Sequence, residues 1–341
     1  MLIGIWNFHE ELNYNNYMLL NSNSLIGDDL LSSLNYLYKE SLSIGIEFKT
    51  LDMIGLNEKI DAYLFLDYPR MSNKYVKKAF KTAIPKYLII YESEIIRPEN
   101  WIKSNHDKFS KIFTWDDNLV DNKKFFKNNF SFNLPSDINK NLDKKVKLCT
   151  LIAGNKKVNH SNELYSERVK AINWFLKEHP QDFDLYGIGW NDYKFSGPKI
   201  IRALNRIKPL TRLLSRRVYF YKGPVDSKKS VLEKYKFAIC YENAKGYSGY
   251  ISEKIFDCFF SGCIPIYWGA DNIEDHIPKG CFIDKREFEN YNDIYSYIDS
   301  MSDESILQYL NNIELFLNSE LAYMFSSVRF QKLLMREVCG I

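Results

Sequence analysis

The sequence predicts an α/β protein built from two doubly wound, Rossmann-like domains that face each other across a cleft. Short apolar runs alternate with amphipathic segments, a pattern typical of parallel sheets covered by helices. A polar stretch divides these runs into two series, and 341 residues are ample for two domains of ordinary size. Ligands in such sheets bind at the carboxyl ends of the strands, so we expect a site at the cleft.

The first series of apolar runs predicts the sheet of an N-terminal domain. The predicted strands are residues 2–6, 62–67, 87–92 and 111–115, and helices are expected around 27–43 and 73–82. Residues 116–145 are polar and rich in Asn and Lys, and we interpret them as a linker region, because few of them are suited to burial in a core. The N-terminal domain is therefore assigned to residues 1–145.

The second series predicts another sheet and a helical C-terminus. Strands are expected at 147–154, 183–187, 237–242 and 263–269, and a helix at 166–179. From 303 to 338 the pattern is helical, with a stripe spaced by threes and fours that consists of Ile306, Leu310, Ile313, Leu317 and Leu321. We assign residues 146–320 to the C-terminal domain and 321–341 to a helical tail.

The composition excludes several classes of protein. Hydrophobic residues make up 45% of the chain and aromatic residues 16%, which is typical of a well-packed globular protein. The net charge of +3 is too small to indicate nucleic-acid binding. The six cysteines lack CxxC spacing and are interpreted as free thiols of a reducing compartment. With no signal peptide and no apolar run of membrane-spanning length, a cytoplasmic protein is expected, at most peripheral on the inner face of the membrane.

The sequence also lacks the signatures of several chemistries. There is no GxxxxGK[ST] motif, which excludes P-loop ATP hydrolysis, and no GxSxG motif of a serine hydrolase. The five histidines are scattered without metal-binding spacing. Asp182 and Asp184 form a D-x-D pair that is better interpreted as a helix-to-strand turn than as a metal clamp. No metal and no obligatory cofactor are expected.

Residues 241–269, YENAKGYSGYISEKIFDCFFSGCIPIYWG, predict a βαβ unit with an anion site. Ser252 is expected to cap the helix and Gly262 to end it. Lys254 then lies in the first turn, which is unfavourable for a cation unless an anion binds there. A phosphate-bearing ligand would provide that anion, and Tyr247 and Tyr250 would cover its ribose or base. The alternative is that Glu253 and Lys254 form a solvated surface pair.

A cationic stretch without acidic residues lies between Asp192 and Asp226. Its cations alternate with aliphatic residues and are Lys194, Lys199, Arg202, Arg206, Lys208, Arg212, Arg216, Arg217 and Lys222. The pattern is compatible with helices at an anionic membrane surface, with a loop whose last arginines reach a diphosphate, or with a nucleic-acid patch. Nucleic acid ranks last because no RNA-binding motif is present, whereas the first two interpretations are compatible with each other.

Four segments resemble the donor-binding signature of the family 10 α-1,3/1,4-fucosyltransferases. They are YKFAICYEN (235–243), GYISEK (249–254), SGCIPIYWG (261–269) and HIPKGCFID (276–284), which occur in the family's order over about fifty residues. Weaker similarity extends to LYGIGW (185–190) and YESE (91–94). The resemblance implies a GT-B architecture, GDP-fucose as the donor, and transfer with inversion at the sugar carbon. It implies an acceptor-binding N-terminal domain and a donor-binding C-terminal domain.

The resemblance also implies roles for individual residues. Lys254 matches the lysine that contacts phosphate, Glu253 the adjacent glutamate, and Asn243 and Tyr250 the residues that line the nucleotide site. The phosphate-binding arginine matches Arg217 most closely, with Arg216 as the alternative. The general base, a glutamate after a strand of the N-terminal domain, matches Glu92, with Glu94 in reserve, although both flanking residues of Glu92 differ from the family's pattern.

The expected activity is transfer of fucose from GDP-fucose to a hydroxyl of a glycan, such as a bacterial surface polysaccharide or lipopolysaccharide, carried on a lipid. One alternative keeps the fold but uses another nucleotide-activated deoxysugar. A second is a non-catalytic module that binds a sugar nucleotide or glycan, and a third is a basic surface-binding protein. The acceptor is the least determined part, because the resemblance is weakest in the N-terminal half.

Overall fold

The structure is a computed structural model that describes residues 1–22, 28–193, 195, 197–214 and 220–341. Within these ranges the chain forms two separate parallel sheets of six and five strands. Each sheet has buried hydrophobic residues packed against it, so each is the centre of its own domain. No helix in the described ranges is long and apolar enough to cross a membrane.

The first sheet has the strand order β2-β1-β3-β4-β5-β6 and is parallel throughout. Its strands are β1 (Leu2–Asn7), β2 (Glu47–Thr50), β3 (Ala62–Leu66), β4 (Lys86–Ile90), β5 (Lys111–Thr114) and β6 (Phe125–Lys127). The central strands β3 and β4 are almost entirely buried, which explains why they are apolar on both faces. Reversal of the strand order at β1 makes the sheet doubly wound.

The second sheet has the order β11-β10-β9-β7-β8, again parallel. Its strands are β7 (Lys147–Ile152), β8 (Phe183–Tyr186), β9 (Tyr235–Tyr241), β10 (Ile264–Trp268) and β11 (Ile283–Asp284). β9 lies between β7 and β10, so the carboxyl ends of all three strands open at one edge of the sheet. This edge faces the first domain.

Helices cover both sheets and form the C-terminus. They are α1 (Tyr17–Leu20), α2 (Ser32–Ser43), α3 (Lys74–Phe80), α4 (Lys103–His106), α5 (Tyr165–Glu178), α6 (Lys199–Ala203), α7 (Lys208–Leu213), α8 (Lys228–Leu232), α9 (Glu253–Phe260), α10 (Tyr291–Asp299), α11 (Asp303–Leu317), α12 (Glu320–Tyr323) and α13 (Ser327–Leu334). A π-helical turn, Met335–Cys339, follows α13 directly.

The eight strands predicted from apolar runs are confirmed, with ends shifted by up to two residues. The linker interpretation of residues 116–145 is wrong for its first part, because β6 lies there and the aromatic rings of Phe126 and Phe132 are buried. These rings contact the core, but the Asn and Lys residues around them make the segment polar overall, so the sequence pattern did not indicate a strand. β2 and β11 were not predicted, because β2 is buried on one face only and β11 has two residues.

The helical C-terminus returns to the first domain. The predicted stripe is buried through Leu317, where α11 ends, whereas Leu321 is exposed. α13 then packs against α2, and its side chains Phe330, Leu333 and Leu334 join the core on that face of the first sheet. The last helix therefore packs on the N-terminal domain and not on the C-terminal domain that precedes it in the chain.

Candidate active site

A cavity of about 590 Å³ lies between the two domains. One wall is formed by residues at the carboxyl ends of β7, β8 and β9, another by the first turn of α9, and Glu92 reaches it from the end of β4. Its charged lining residues within the described ranges are Glu92, Lys156, Arg168, Lys228, Glu253, Lys254 and Asp257. Four cations and three carboxyl groups therefore line one cavity at the cleft.

The first turn of α9 is fixed by a carboxylate buried beneath it. Ser252 caps the helix, and its hydroxyl accepts a hydrogen bond from the Lys254 N–H. The Ser252 N–H and hydroxyl donate to Glu242 Oε1 and Oε2 at 2.8 and 2.6 Å. The Glu242 side chain is completely buried at the end of β9. The cap and end predicted for this helix, Ser252 and Gly262, are confirmed, and Gly262 has φ +58°.

Lys254 is held by three oxygen atoms. Its Nζ lies 3.2 Å from Glu242 Oε2, 2.9 Å from Ser252 Oγ and 3.4 Å from Glu253 Oε1. Burial lowers the pKa of Lys254, but the Glu242 and Glu253 carboxylates outweigh burial and hold that pKa above its ordinary value. The ammonium group is therefore charged at the amino end of α9, where backbone N–H groups also favour an anion. The interpretation as a solvated surface pair is wrong for this residue.

Glu253 lines the cavity beside Lys254. Burial raises its pKa, but the charges of Lys254 and Lys228 outweigh burial and lower that pKa to about 2. Lys228 in turn donates to Asp257 at 2.7 Å. Glu253 is therefore an anion whose oxygens can accept hydrogen bonds from hydroxyl groups of a ligand.

Glu92 is the carboxyl group that the first domain contributes to the cavity. Burial raises its pKa, and the nearby charge of Asp67 raises it further, while the more weakly acting Lys254 opposes this. A carboxyl group with a raised pKa at the wall of a cleft has the property that proton transfer at neutral pH requires.

Glu94, the reserve candidate, lies outside the described lining of the cavity. Its Oε1 accepts a hydrogen bond from the Tyr247 hydroxyl at 2.5 Å and lies 3.3 Å from His160 Nε2. Both partners belong to the second domain, so Glu94 bridges the two domains at a half-exposed position.

Asn243 and Tyr250 also line the cavity. Asn243 Oδ1 accepts a hydrogen bond from Arg168 Nη2 at 3.2 Å. The Tyr250 ring is buried and packs on Trp115 of the first domain, with ring centroids 4.7 Å apart. The two residues predicted for the nucleotide site thus lie at the same cavity as Lys254, whereas Tyr247 lies against Glu94 instead.

Arg168 was not predicted as a site residue. It is buried on α5, and its Nη2 donates to the carbonyl oxygens of Tyr241 and Glu242 at 2.6 and 2.8 Å. The sequence does contain a signal, since Arg168 occupies the buried stripe of α5 between Tyr165 and Ile172. A cation on such a stripe is rare unless a partner or ligand requires it.

The arginines proposed for the diphosphate, Arg216 and Arg217, lie outside the described residues. Two further cations at the cavity, Lys156 after β7 and Lys228 on α8, were not predicted either. Among the described residues, no group of three or more His, Cys, Asp or Glu side chains is arranged to hold a metal ion.

Two Rossmann-like domains around a cleft define the GT-B class of glycosyltransferase fold, and solved structures of that class share it. A crystal structure of an α1,3-fucosyltransferase with GDP-fucose aligns over 97% of this chain and 90% of its own, with a TM-score of 0.54 and 15% identity. A DNA-modifying β-glucosyltransferase, studied with and without uridine diphosphoglucose, aligns over 98% and 99% with a TM-score of 0.56 and 14% identity.

The chain belongs to glycosyltransferase family 10 (fucosyltransferase), since the model of that family's C-terminal part matches residues 142–316, about half of the chain. The α-(1,3)-fucosyltransferase FucT of Helicobacter pylori is 33% identical over 190 residues, which cover 51% of this chain and 39% of the relative. An α-(1,4)-fucosyltransferase of Arabidopsis thaliana is 33% identical over 72 residues, 21% of this chain and 18% of the relative. The matches thus span less than half the length of these relatives.

Proposed function

We propose that the protein transfers fucose from GDP-fucose to a hydroxyl group of a glycan, with inversion at the anomeric carbon. The observation that carries the proposal is that Glu92 of the first domain and the cationic first turn of α9 line the same cavity. Membership of family 10 and the names of its fucosyltransferase relatives support fucose as the sugar. The α-1,3 linkage is supported by the name of the Helicobacter pylori relative.

In the proposed reaction, Glu92 removes the proton of the acceptor hydroxyl while that oxygen forms a bond to the anomeric carbon. The bond from this carbon to the β-phosphate oxygen breaks on the opposite face, and GDP leaves with the bonding electron pair. Lys254, Arg168 and the N–H groups of α9 offset the negative charge that develops on the diphosphate. Glu253 and Asn243 orient the nucleotide sugar through hydrogen bonds.

We propose that this transfer needs no divalent cation. A partly buried ammonium group, a guanidinium group and a helix amino terminus provide the positive charge that a metal ion would otherwise supply. The cations Lys156 and Lys228 at the same cavity add to it.

A thermal-shift panel tests the donor. The protein is heated with GDP, GDP-fucose, UDP, CDP or ADP, each with and without a chelator. A ligand at a hundred times its Kd stabilises by about 2.7 kcal/mol, enough to raise the unfolding midpoint by several degrees. We expect a shift with GDP and GDP-fucose alone, unaffected by the chelator. A shift with UDP or CDP instead would replace GDP-fucose by another activated sugar, and no shift would favour a module that binds glycan only.

We propose further that the acceptor is a bacterial surface polysaccharide or lipopolysaccharide on a lipid carrier, reached at the inner face of the membrane. The α6–α7 surface, residues 199–214, supports this proposal. Ile200 and Leu213 are 85% and 81% exposed there, among exposed cations that include Arg202, Arg206 and Arg212. Exposed aliphatic side chains flanked by cations are suited to an anionic lipid surface.

Vesicle flotation tests the membrane contact. The protein should float with anionic vesicles at low salt and less with neutral ones, and Ile200→Ser with Leu213→Ser should reduce flotation while GDP binding is retained. Leu315→Ser is the matched control, because Leu315 is exposed on α11 outside this surface. Equal flotation of both variants and the wild type, or none at all, would remove the membrane from the proposal.

A further inference from the structure

Asp67 has an unusual backbone conformation at the end of β3. Its φ of +58° lies in the left-handed region, which is strained for a residue with a side chain and persists only where the surrounding structure imposes it. The side chain is only 4% exposed. The Asp67 N–H donates to the Ile89 carbonyl oxygen at 2.7 Å, which continues the pairing of β3 with β4 by one residue.

The left-handed turn directs the Asp67 carboxylate to the backbone that follows β4. Oδ1 accepts hydrogen bonds from the N–H groups of Tyr91 and Glu92, both at 2.9 Å, and from Asn100 Nδ2 at 2.6 Å. The Glu92 carbonyl oxygen accepts from Asn100 Nδ2 and from Trp101 Nε1, both at 3.2 Å. Both backbone polar groups of Glu92 are therefore held by side chains.

Burying Asp67 next to Glu92 also places two carboxyl groups in a region of low polarity. Burial raises the pKa of Asp67 to about 6, although its hydrogen bonds and the charge of Arg97 oppose this rise. Around Glu92, Asp67 and Glu253 raise the pKa and Lys254 and Lys156 lower it. Among the described residues, the phenol of Tyr91 interacts with Asp67 and those of Tyr165 and Tyr250 with Glu92, while His106 lies one residue further away, hydrogen-bonded to the Asn100 carbonyl oxygen.

We infer that Asp67 is a positioning residue for Glu92: its carboxylate accepts the Glu92 N–H, fixes the backbone from which Glu92 reaches the cavity, and places a negative charge next to that backbone. The inference rests on the proposed function in assigning the base role to Glu92. The inference gives the left-handed turn a purpose, because in this conformation the Asp67 carboxylate accepts hydrogen bonds from two consecutive N–H groups. Asp67 lies outside the described lining of the cavity, so we assign it a role through Glu92 and not through direct contact with substrate.

Asp67→Asn tests the charge, since the amide oxygen can still accept the two backbone hydrogen bonds. Without the negative charge, the pKa of Glu92 falls, so the acidic limb of the pH profile of kcat/KM moves to lower pH. The weaker base lowers kcat at the plateau by about tenfold. KM for GDP-fucose and the thermal shift with GDP stay at the wild-type value. Asp67→Ala also removes the backbone support and should lower kcat about a hundredfold.

Asp184→Asn is the matched control, because Asp184 is another buried, hydrogen-bonded aspartate that lies on β8, outside the described lining of the cavity. It should lower the unfolding temperature without moving the pH profile. A readout independent of transfer is the pKa of Glu92 itself, measured by carbon-13 NMR with Glu92→Gln to assign the signal. If Asp67→Asn leaves that pKa and the pH profile unchanged, the inference is wrong. If the wild type transfers no fucose while the NMR shift occurs, the proposed function fails and the coupling stands.

Discussion

The partly buried Lys254 and the fully buried Glu242 form an ion pair that contributes both to stability and to the proposed binding of the donor. Lys254 Nζ lies 3.2 Å from Glu242 Oε2. Desolvating an ion pair costs free energy, so such a pair adds little net stability. Removing one partner is nevertheless strongly destabilising, because the other charge is left buried without compensation. The pair therefore keeps a cation in place at the amino end of α9, where a diphosphate would bind.

For Lys254→Met we expect a loss of about 10- to 100-fold in GDP affinity, since charge-assisted hydrogen bonds contribute about 1.5–3 kcal/mol. The variant should also lose about 3–5 kcal/mol of stability, because Glu242 is left buried without its cation. Adding Glu242→Gln should restore most of the stability and none of the affinity. Thermal unfolding and GDP titration measure both. Recovery of GDP binding in the double variant would show that Lys254 does not contact the nucleotide.

The raised pKa of Glu92 has consequences for both activity and stability. Transfer requires the ionised form, so the acidic limb of kcat/KM should lie above the pKa of an ordinary glutamate, about 4.3. Because the folded-state pKa is raised, the stabilising contribution is present below the unfolded-state pKa and is lost as pH rises through the folded-state pKa.

We therefore expect Glu92→Gln to lower kcat by about 10²- to 10⁴-fold while GDP still binds. The unfolding temperature of this variant should rise relative to the wild type as pH increases from about 5 to 9, because only the wild type has to ionise a carboxyl group whose folded-state pKa is raised. Calorimetry across that range measures the difference. A difference that stays constant with pH would contradict the raised pKa of Glu92. Full activity of the variant would exclude Glu92 as the base.

At the scale of elements, the amino end of α9 is anchored to β9 by one serine. Ser252 both caps the helix and donates its hydroxyl to Glu242. The alternation of strand, loop and helix in residues 241–269 predicted this cap from local pattern alone, because capping depends on neighbours in the chain. The hydrogen bond to Glu242 depends on how α9 packs against β9.

Ser252→Ala should destabilise the protein by about 1 kcal/mol for the lost cap and by a further 1.5–3 kcal/mol for the bond to a buried carboxylate. Ser302→Ala is the matched control, since Ser302 caps α11 at an exposed position, its carboxylate partner Glu304 is also exposed, and both lie outside the cavity. It should lose about 1 kcal/mol only. Equal losses in thermal unfolding of the two variants would contradict the role assigned to Glu242.

At the scale of the whole molecule, the domains meet through backbone as well as side chains. Asp117 of the first domain lies 2.8 Å from His276 Nε2 and accepts from Asn272 Nδ2 at 3.0 Å. Gly249, one residue before Tyr250, has φ +82°, and an added Cβ would lie 2.3 Å from the Trp115 carbonyl oxygen. The loop that leads into α9 therefore lies directly on the first domain.

In Gly249→Ala the added methyl group should push the loop away from the Trp115 carbonyl oxygen. We therefore expect a lower unfolding temperature and weaker GDP binding. Gly45→Ala is the matched control, because Gly45 has a similar φ of +76° but no heavy atom within 4 Å of an added Cβ. Both variants bear the strain of a left-handed alanine, so the difference between their unfolding temperatures measures the contact between domains. Equal shifts, with GDP binding unchanged in both, would show that the contact contributes nothing to the site.

The sequence by itself determined the two series of strands, the cap and end of α9, and the family signature around Lys254. The strands and the ends of α9 follow from periodicity and short-range hydrogen bonding, which neighbouring residues determine, whereas the signature is a resemblance to a known family. Only the tertiary structure placed Glu92 at the cavity and Glu94 against Tyr247, two residues apart, and put Arg168 beneath the end of β9. It also showed that the Asp67 carboxylate accepts hydrogen bonds from the backbone of Tyr91 and Glu92. Such assignments depend on which atoms of distant segments come within about 3 Å of each other, and periodicity contains no information on distances across a cleft.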